Sequence, residues 1–201
     1  SQSMYGISNT DDELDEDNSL KNPVTMYAKT KWKSENILKE MNNDDFTIVC
    51  LRPSTVFGKS PRLRCDIVFN NLVACAYTTG KIEIMTDGSP WRPVVHVLDL
   101  CKAIEASFIA PREIVEKQSF NVGIKDGNYQ VKDLAKAAQS VVPGCDLVFT
   151  GEHSIDPRSY KVSFTKIFNQ LGDYYCPEWD LLKGGLELVD YFKEIKFTEN
   201  E

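Results

Sequence analysis

Residues 46–51 read Phe-Thr-Ile-Val-Cys-Leu, an unbroken apolar and β-prone run that follows directly on a helical pattern over 25–42. A strand without polar alternation has both faces covered, as happens inside a parallel sheet sandwiched by helices. The preceding segment keeps helical spacing. Met26, Thr30, Ile37 and Met41 fall along one face, and Tyr27, Lys31, Ser34 and Leu38 form an adjacent stripe. Asn42-Asn43-Asp44-Asp45 stops the helix, and Arg52-Pro53 closes the strand. A helix feeding a buried strand predicts α/β architecture.

The rest of the chain repeats the alternation more loosely. The pattern predicts a helix over 67–77 ending at Gly80, strands over 81–85 and 93–97, and helical spacing at Leu100, Ala103, Ile104, Ser107 and Phe108. A short buried strand follows at 120–122, then a helix marked by Val131, Leu134, Ala135, Ala138 and Val142. A strand over 146–149 and a last amphipathic helix with Leu182, Leu186, Val189 and Phe192 complete the series. Asp11, Asp12, Glu13, Asp15, Glu16 and Asp17 crowd into seven positions and read as a solvated surface loop, since EF-hand spacing is absent.

Composition removes several function classes. The net charge of −7 argues against a nucleic-acid binder, which needs a basic face. No run approaches the roughly 18–20 apolar residues of a membrane span. The six cysteines form no CxxC pair and cluster with neither His96 nor His153, which speaks against zinc and against a disulfide framework. They are expected to be small core hydrophobes in a reducing, cytoplasmic setting. His96, between Val95 and Val97, is expected to be packed, His153 to be exposed, and Asp99 to cap or start the following helix.

Tyr27 and Lys31, at i and i+4, share one helix face. A phenol with an ordinary pKa of about 10 is a poor base at neutral pH, but an adjacent ammonium favours the phenolate. The pair therefore suits proton transfer to or from a hydroxyl. YxxxK by itself is a weak signal; its neighbours in the sequence strengthen it. Ser1-Gln2-Ser3-Met4-Tyr5-Gly6 lies upstream, and Leu51-Arg52-Pro53-Ser54-Thr55-Val56-Phe57-Gly58 follows one strand later. Arg92-Pro93-Val94-Val95-His96-Val97-Leu98-Asp99 and Phe120-Asn121-Val122-Gly123 come next.

This ordered set resembles the extended short-chain dehydrogenase/reductase family, in particular its NAD-dependent epimerase/dehydratase group acting on nucleotide sugars. The resemblance runs from Ser1 to about Gly123. It implies the C-terminal part of a Rossmann-like doubly wound parallel sheet plus a smaller α/β substrate-binding lobe. Residues 1–60, with 92–125 packing back on them, would belong to the NAD-binding domain, and 61–201 mainly to the substrate lobe. It also implies that Ser1 hydrogen-bonds the reacting sugar hydroxyl, Tyr27 is the acid/base, and Lys31 binds the nicotinamide ribose. Pro53, Ser54 and Thr55 would pass beside the nicotinamide of NAD, or of NADP. Arg92 would meet the nucleotide-sugar diphosphate, with Arg62, Arg64, Asn70 and Asn71 in a looser nucleotide-contact region. A homodimer through the YxxxK helix would accord with the family's habit.

Two departures refine the expectation. The 4,6-dehydratases of the family follow their catalytic threonine with Asp-Glu, which supply acid and base for water elimination. Gln2 and Ser3 stand there in this chain and can do neither. That favours epimerisation, with a keto-reductase using the same residues or a dehydratase of the same family as alternatives, and a non-catalytic binding or scaffold role as the alternative of another class. The family's GxxGxxG loop at a helix N-terminus has no counterpart in the sequence. The chain is therefore expected to be the C-terminal portion of a longer protein, unable by itself to hold the dinucleotide pyrophosphate.

Overall fold

A 3₁₀ turn over Gln2–Tyr5 is capped by the Ser1 side chain, and Thr25 caps the first long helix by accepting the Ala28 N–H at 3.1 Å. These belong to a computed structural model that describes residues 1–6, 12–151 and 159–198. Asp11 and His153 lie outside the described residues. In chain order the elements are β1 (Glu13–Leu14), α1 (Met26–Glu40), β2 (Cys50–Pro53), β3 (Thr55–Phe57), α2 (Val68–Thr79), β4 (Lys81–Ile84) and β5 (Trp91–His96). There follow α3 (Val97–Ile109), α4 (Arg112–Val115), β6 (Ser119–Val122), β7 (Asn128–Gln130), α5 (Val131–Val141), β8 (Asp146–Phe149), β9 (Lys161–Val162), α6 (Thr165–Leu171) and α7 (Leu181–Ile195).

Parallel pairing dominates, as the α/β reading requires. β2 runs beside β6, with Leu51 opposite Phe120 and Arg52 opposite Asn121. β3 runs beside β5, β4 beside β8 and β1 beside β9; the β5–β7 pair alone is antiparallel among the described residues. Two apolar cores result. One packs Phe57, Phe69, Leu134 and Phe192 between α2, α5 and α7; the other packs Ala103, Phe120, Val122, Ile167, Leu171 and Tyr175 around β6, α3 and α6. Among the described residues no helix is long and apolar enough to cross a membrane.

Several local expectations change. Strand pairing begins at Cys50, not Phe46, because the partner β6 begins only at Ser119; Phe46 is 48% exposed. Pairing then continues through Arg52 and Pro53. The Met26, Ile37 and Met41 face of α1 is exposed, and the residues that α1 buries are Ala28 and Glu35. The acidic run is not simply solvated. Glu16 is buried and accepts the Asn121 N–H at 2.6 Å, while Glu13 and Leu14 pair with β9. None of the six cysteines is in a disulfide; only Cys145 is buried, and Cys101 and Cys176 are exposed. Asp99 does not cap α3. His96 does, and the buried Asp99 carboxylate accepts the backbone N–H groups of Glu178 and Trp179 at 2.9 and 3.0 Å.

His96 ties α7 to the sheet. Its Nδ1 accepts the Leu98 N–H, so the ring proton sits on Nε2 and is donated to Glu187 Oε2 at 2.9 Å. The ring stacks on Trp179 with centroids 3.9 Å apart. Burial lowers its pKa against the opposing pull of Glu187. Gly58 leaves the room for this: its φ is +109°, and a Cβ there would stand 2.2 Å from His96 Nε2. Gly58→Ala is therefore expected to destabilise the protein by about 2–3 kcal/mol, from overpacking and left-handed strain together. Urea midpoints check this, and an unchanged midpoint would show that His96 moves aside freely.

Candidate active site

A cavity of about 820 Å³ opens where the Gln2–Tyr5 turn, α1 and the β2–β3 bend converge. Helical periodicity sets Tyr27 and Lys31 on the face of α1 that looks into it, with the Lys31 ammonium 5.7 Å from the Tyr27 ring centroid. Tyr27 is 58% exposed, so its hydroxyl is open to an incoming ligand. Ser1 lines the same cavity. Its Oγ accepts the Ser3 N–H at 3.4 Å and lies 2.8 Å from Ser3 Oγ. Pro53, Ser54 and Thr55 form the floor, where the chain leaves β2 and starts β3. Ser54 is buried, donating from its hydroxyl to the Val122 carbonyl at 2.9 Å.

The mouth is cationic. Lys31, Arg62 and Arg64 line the cavity, and Arg64, itself ion-paired to Asp66 at 2.6 Å, interacts electrostatically with Tyr27. Asn70 lines the wall, but both ends of its amide are engaged by backbone. Oδ1 accepts the Gly58 N–H at 3.0 Å, and Nδ2 donates to the Arg64 carbonyl at 3.1 Å. It builds the loop that presents the arginines. Arg92 and Asn71 do not line the cavity. Arg92 sits on β5 opposite Tyr129 and donates to the Trp91 carbonyl, and Asn71 is exposed on α2.

A polar network beneath the cavity escaped the sequence reading. Arg52, only 2% exposed, donates to both oxygens of Glu35 at 2.6 and 3.2 Å and to the Tyr5 hydroxyl at 3.0 Å. Tyr5 passes its own proton to Asn121 Oδ1 at 2.9 Å, and Ser119 Oγ donates to Glu35 Oε1 at 2.6 Å. Burial pushes the Glu35 carboxyl up, but the hydrogen bonds and charge of Arg52, with the bond from Ser119, bring it below its ordinary value. Burial likewise drives Tyr5 up to about 12, so it stays a neutral donor. Glu35 lies on the Tyr27–Lys31 stripe, at i+4 from Lys31. That periodicity was the available signal, and its partner on β2 was not visible in it.

The arrangement offers a hydroxyl donor, a phenol beside an ammonium and a cationic rim around one space. That set can orient a ligand hydroxyl, move its proton and hold an anionic group nearby. Residues Tyr27, Lys31 and Pro53–Thr55 would fit the nicotinamide-ribose end of a dinucleotide, while the described residues supply no glycine-rich loop for its pyrophosphate.

Solved structures show the same fold. The UDP-glucuronic acid 4-epimerase of Bacillus cereus, in complex with UDP-glucuronic acid and NAD, is 22% identical; the match covers 96% of this chain and 59% of that one, at a TM-score of 0.76. The UDP-glucose 4-epimerase of Thermotoga maritima, with UDP-glucose, is 20% identical over 97% and 62%, at 0.79. The dTDP-glucose 4,6-dehydratase of Bacillus anthracis, in complex with NAD, is 17% identical over 98% and 61%, at 0.76. The chain thus spans about three fifths of the length of these proteins. Residues 1–123, more than half of the chain, match the NAD dependent epimerase/dehydratase family, and with this site and this fold the chain belongs to that family.

Proposed function

We propose that the protein is an NAD-dependent nucleotide-sugar epimerase. The observation that carries this reading is the convergence of Ser1, Tyr27 and Lys31 on one cavity with the Pro53–Thr55 bend and a cationic rim. In this reading Ser1 donates to the reacting sugar oxygen and holds it. Tyr27 takes the hydroxyl proton as the carbinol is oxidised and returns it when the carbon is reduced. Lys31, beside Tyr27 on the same face of α1, anchors the ribose of the cofactor. A nicotinamide held by Tyr27, Lys31 and the Pro53–Thr55 bend would supply reversible hydride transfer at the sugar carbon. Return to the opposite face of the keto sugar inverts the carbon and leaves no net redox change.

Arg62 and Arg64 suit a diphosphate, a role for permanently charged planar groups in a chain of net charge −7. Arg92 would join them only through contacts outside the cavity as it stands. Gln2 and Ser3, neither an acid nor a base, weigh against dehydration. In the division into an NAD-binding and a substrate lobe, the core around β6 and α3 would belong to the first, with 162–175 packing into it from the stretch assigned to the second. Six cysteines without a disulfide accord with a cytoplasmic setting, and the exposed Met26, Ile37 and Met41 accord with a homodimer through α1.

The test is turnover by the full-length protein of UDP-glucose and UDP-glucuronic acid, the sugars held by the related structures, followed by NMR of the product. The expected result is inversion at one sugar carbon without added reduced cofactor. Product that appears only with stoichiometric NADH or NADPH would replace the epimerase by the keto-reductase.

A further inference from the structure

Gln2 follows Ser1 and is 3% exposed. Its Nε2 donates to the Arg52 carbonyl and to Ser54 Oγ, each at 3.1 Å. The Arg52 carbonyl can only accept, so the amide nitrogen has to face it, and this fixes which way the side chain points. Ser54 in turn donates to Val122, so its oxygen is free to accept from Gln2. The turn carrying Ser1 is thereby bonded to β2, to the β2–β3 bend and, one bond further, to β6.

The other end of the amide is anomalous. Gln2 Oε1 is buried and has no hydrogen-bond partner, the only such side-chain atom among the described residues. An unpaired buried acceptor is destabilising, so an apolar side chain of similar shape, such as methionine, would serve packing equally well. What methionine lacks is the pair of amide donors. Ser3 completes the hold, since its N–H and its hydroxyl both reach Ser1 Oγ.

We propose that Gln2 is a positioning residue for Ser1: its two amide bonds hold the Ser1 turn against the Ser54 bend and so set the placement of the Ser1 hydroxyl relative to the 53–55 loop. This rests on the reading of Ser1 as the residue that orients the sugar hydroxyl. It also gives the two positions that hold Asp and Glu in the dehydratases a different duty. Here both side chains are spent on aiming their neighbour.

Gln2→Met in the full-length protein tests it, with Tyr27→Phe alongside. Two hydrogen bonds vanish together with the orphaned acceptor, so the melting temperature is expected to stay within about 2 °C. The value of kcat is expected to fall about 10- to 100-fold, because sub-ångström misplacement of a catalytic group acts on the transition state, while KM changes less than about twofold. An unchanged kcat overturns the proposal. So does a raised KM with kcat intact, which would make Gln2 a ligand contact instead. If Tyr27→Phe also turns over normally, the reading of the site itself is wrong, and hydrogen exchange then decides on the free protein. The Gly6 amide, bonded to the Ser3 carbonyl at 3.2 Å, is expected to exchange about tenfold faster in Gln2→Met. Equal rates would show that the amide does not hold the turn.

Discussion

Replacing Tyr27 with phenylalanine is expected to lower kcat by about 10²–10⁴-fold, the range for loss of a positioned proton-transfer group. Folding stability should stay within about 0.5 kcal/mol, as for surface substitutions away from buried features. The two halves of this expectation have separate causes. Tyr27 is 58% exposed on α1, and its ring contact with Lys31 survives the loss of one oxygen. The oxygen removed is the one that would exchange a proton with the sugar, while the same cavity keeps Ser1, whose hydroxyl can orient that sugar. Nucleotide-sugar affinity by calorimetric titration should therefore change little while steady-state turnover collapses. Turnover of every tested sugar at the wild-type rate would remove Tyr27 from the mechanism and leave a binding role as the better account of the cavity.

What could be read from the sequence was what depends on local period. Tyr27 and Lys31 face the same way because they are four residues apart, and Thr25 and Gly80 act as helix ends because cap chemistry is local. The convergence of Ser1, Tyr27 and Pro53–Thr55 on one cavity was an implication of the family resemblance and not of any local period. Tertiary partners decided the remainder. Met26, Ile37 and Met41 lie along one face of α1, yet that face is exposed and α1 buries Glu35 because Arg52 lies opposite. Glu16 read as one more solvated acid until the Asn121 N–H, 105 positions away in sequence, gave it a buried partner. Arg92 carried a family motif, but its strand pairs with β7 and points its side chain elsewhere than the cavity. A charge run or an arginine in an apolar strand has no period from which its partner can be inferred.

The Arg52–Glu35 pair carries the largest stability effect. Arg52→Met is expected to destabilise the protein by about 3–5 kcal/mol, because the buried carboxylate loses its buried cation and both of that cation's hydrogen bonds, keeping the more distant Lys39 as counter-charge. Glu35 side-chain exposure is only 7%, and the groups that remain near it are Ser119 at 2.6 Å and Lys39 at 3.5 Å. Tyr5 loses a donor in the same step. Replacing both members, Glu35→Leu with Arg52→Met, should recover much of the loss, since the desolvation of two charges is then avoided. Titration separates charge from shape. The folded carboxyl of Glu35 lies below its ordinary value, so the unfolded chain takes up the proton first as pH falls. The stability it contributes is complete above the ordinary glutamate pKa of about 4.5 and disappears as pH falls through the folded value. The stability gap between wild type and Glu35→Gln should thus narrow steadily on acidification below that point. Glu16 is shifted the opposite way by burial, but it is present in both proteins and cancels from their difference. Urea midpoints across the acidic range measure the gap, and a gap that stays constant there would mean that Glu35 holds α1 by its shape and hydrogen bonds, with its charge contributing nothing.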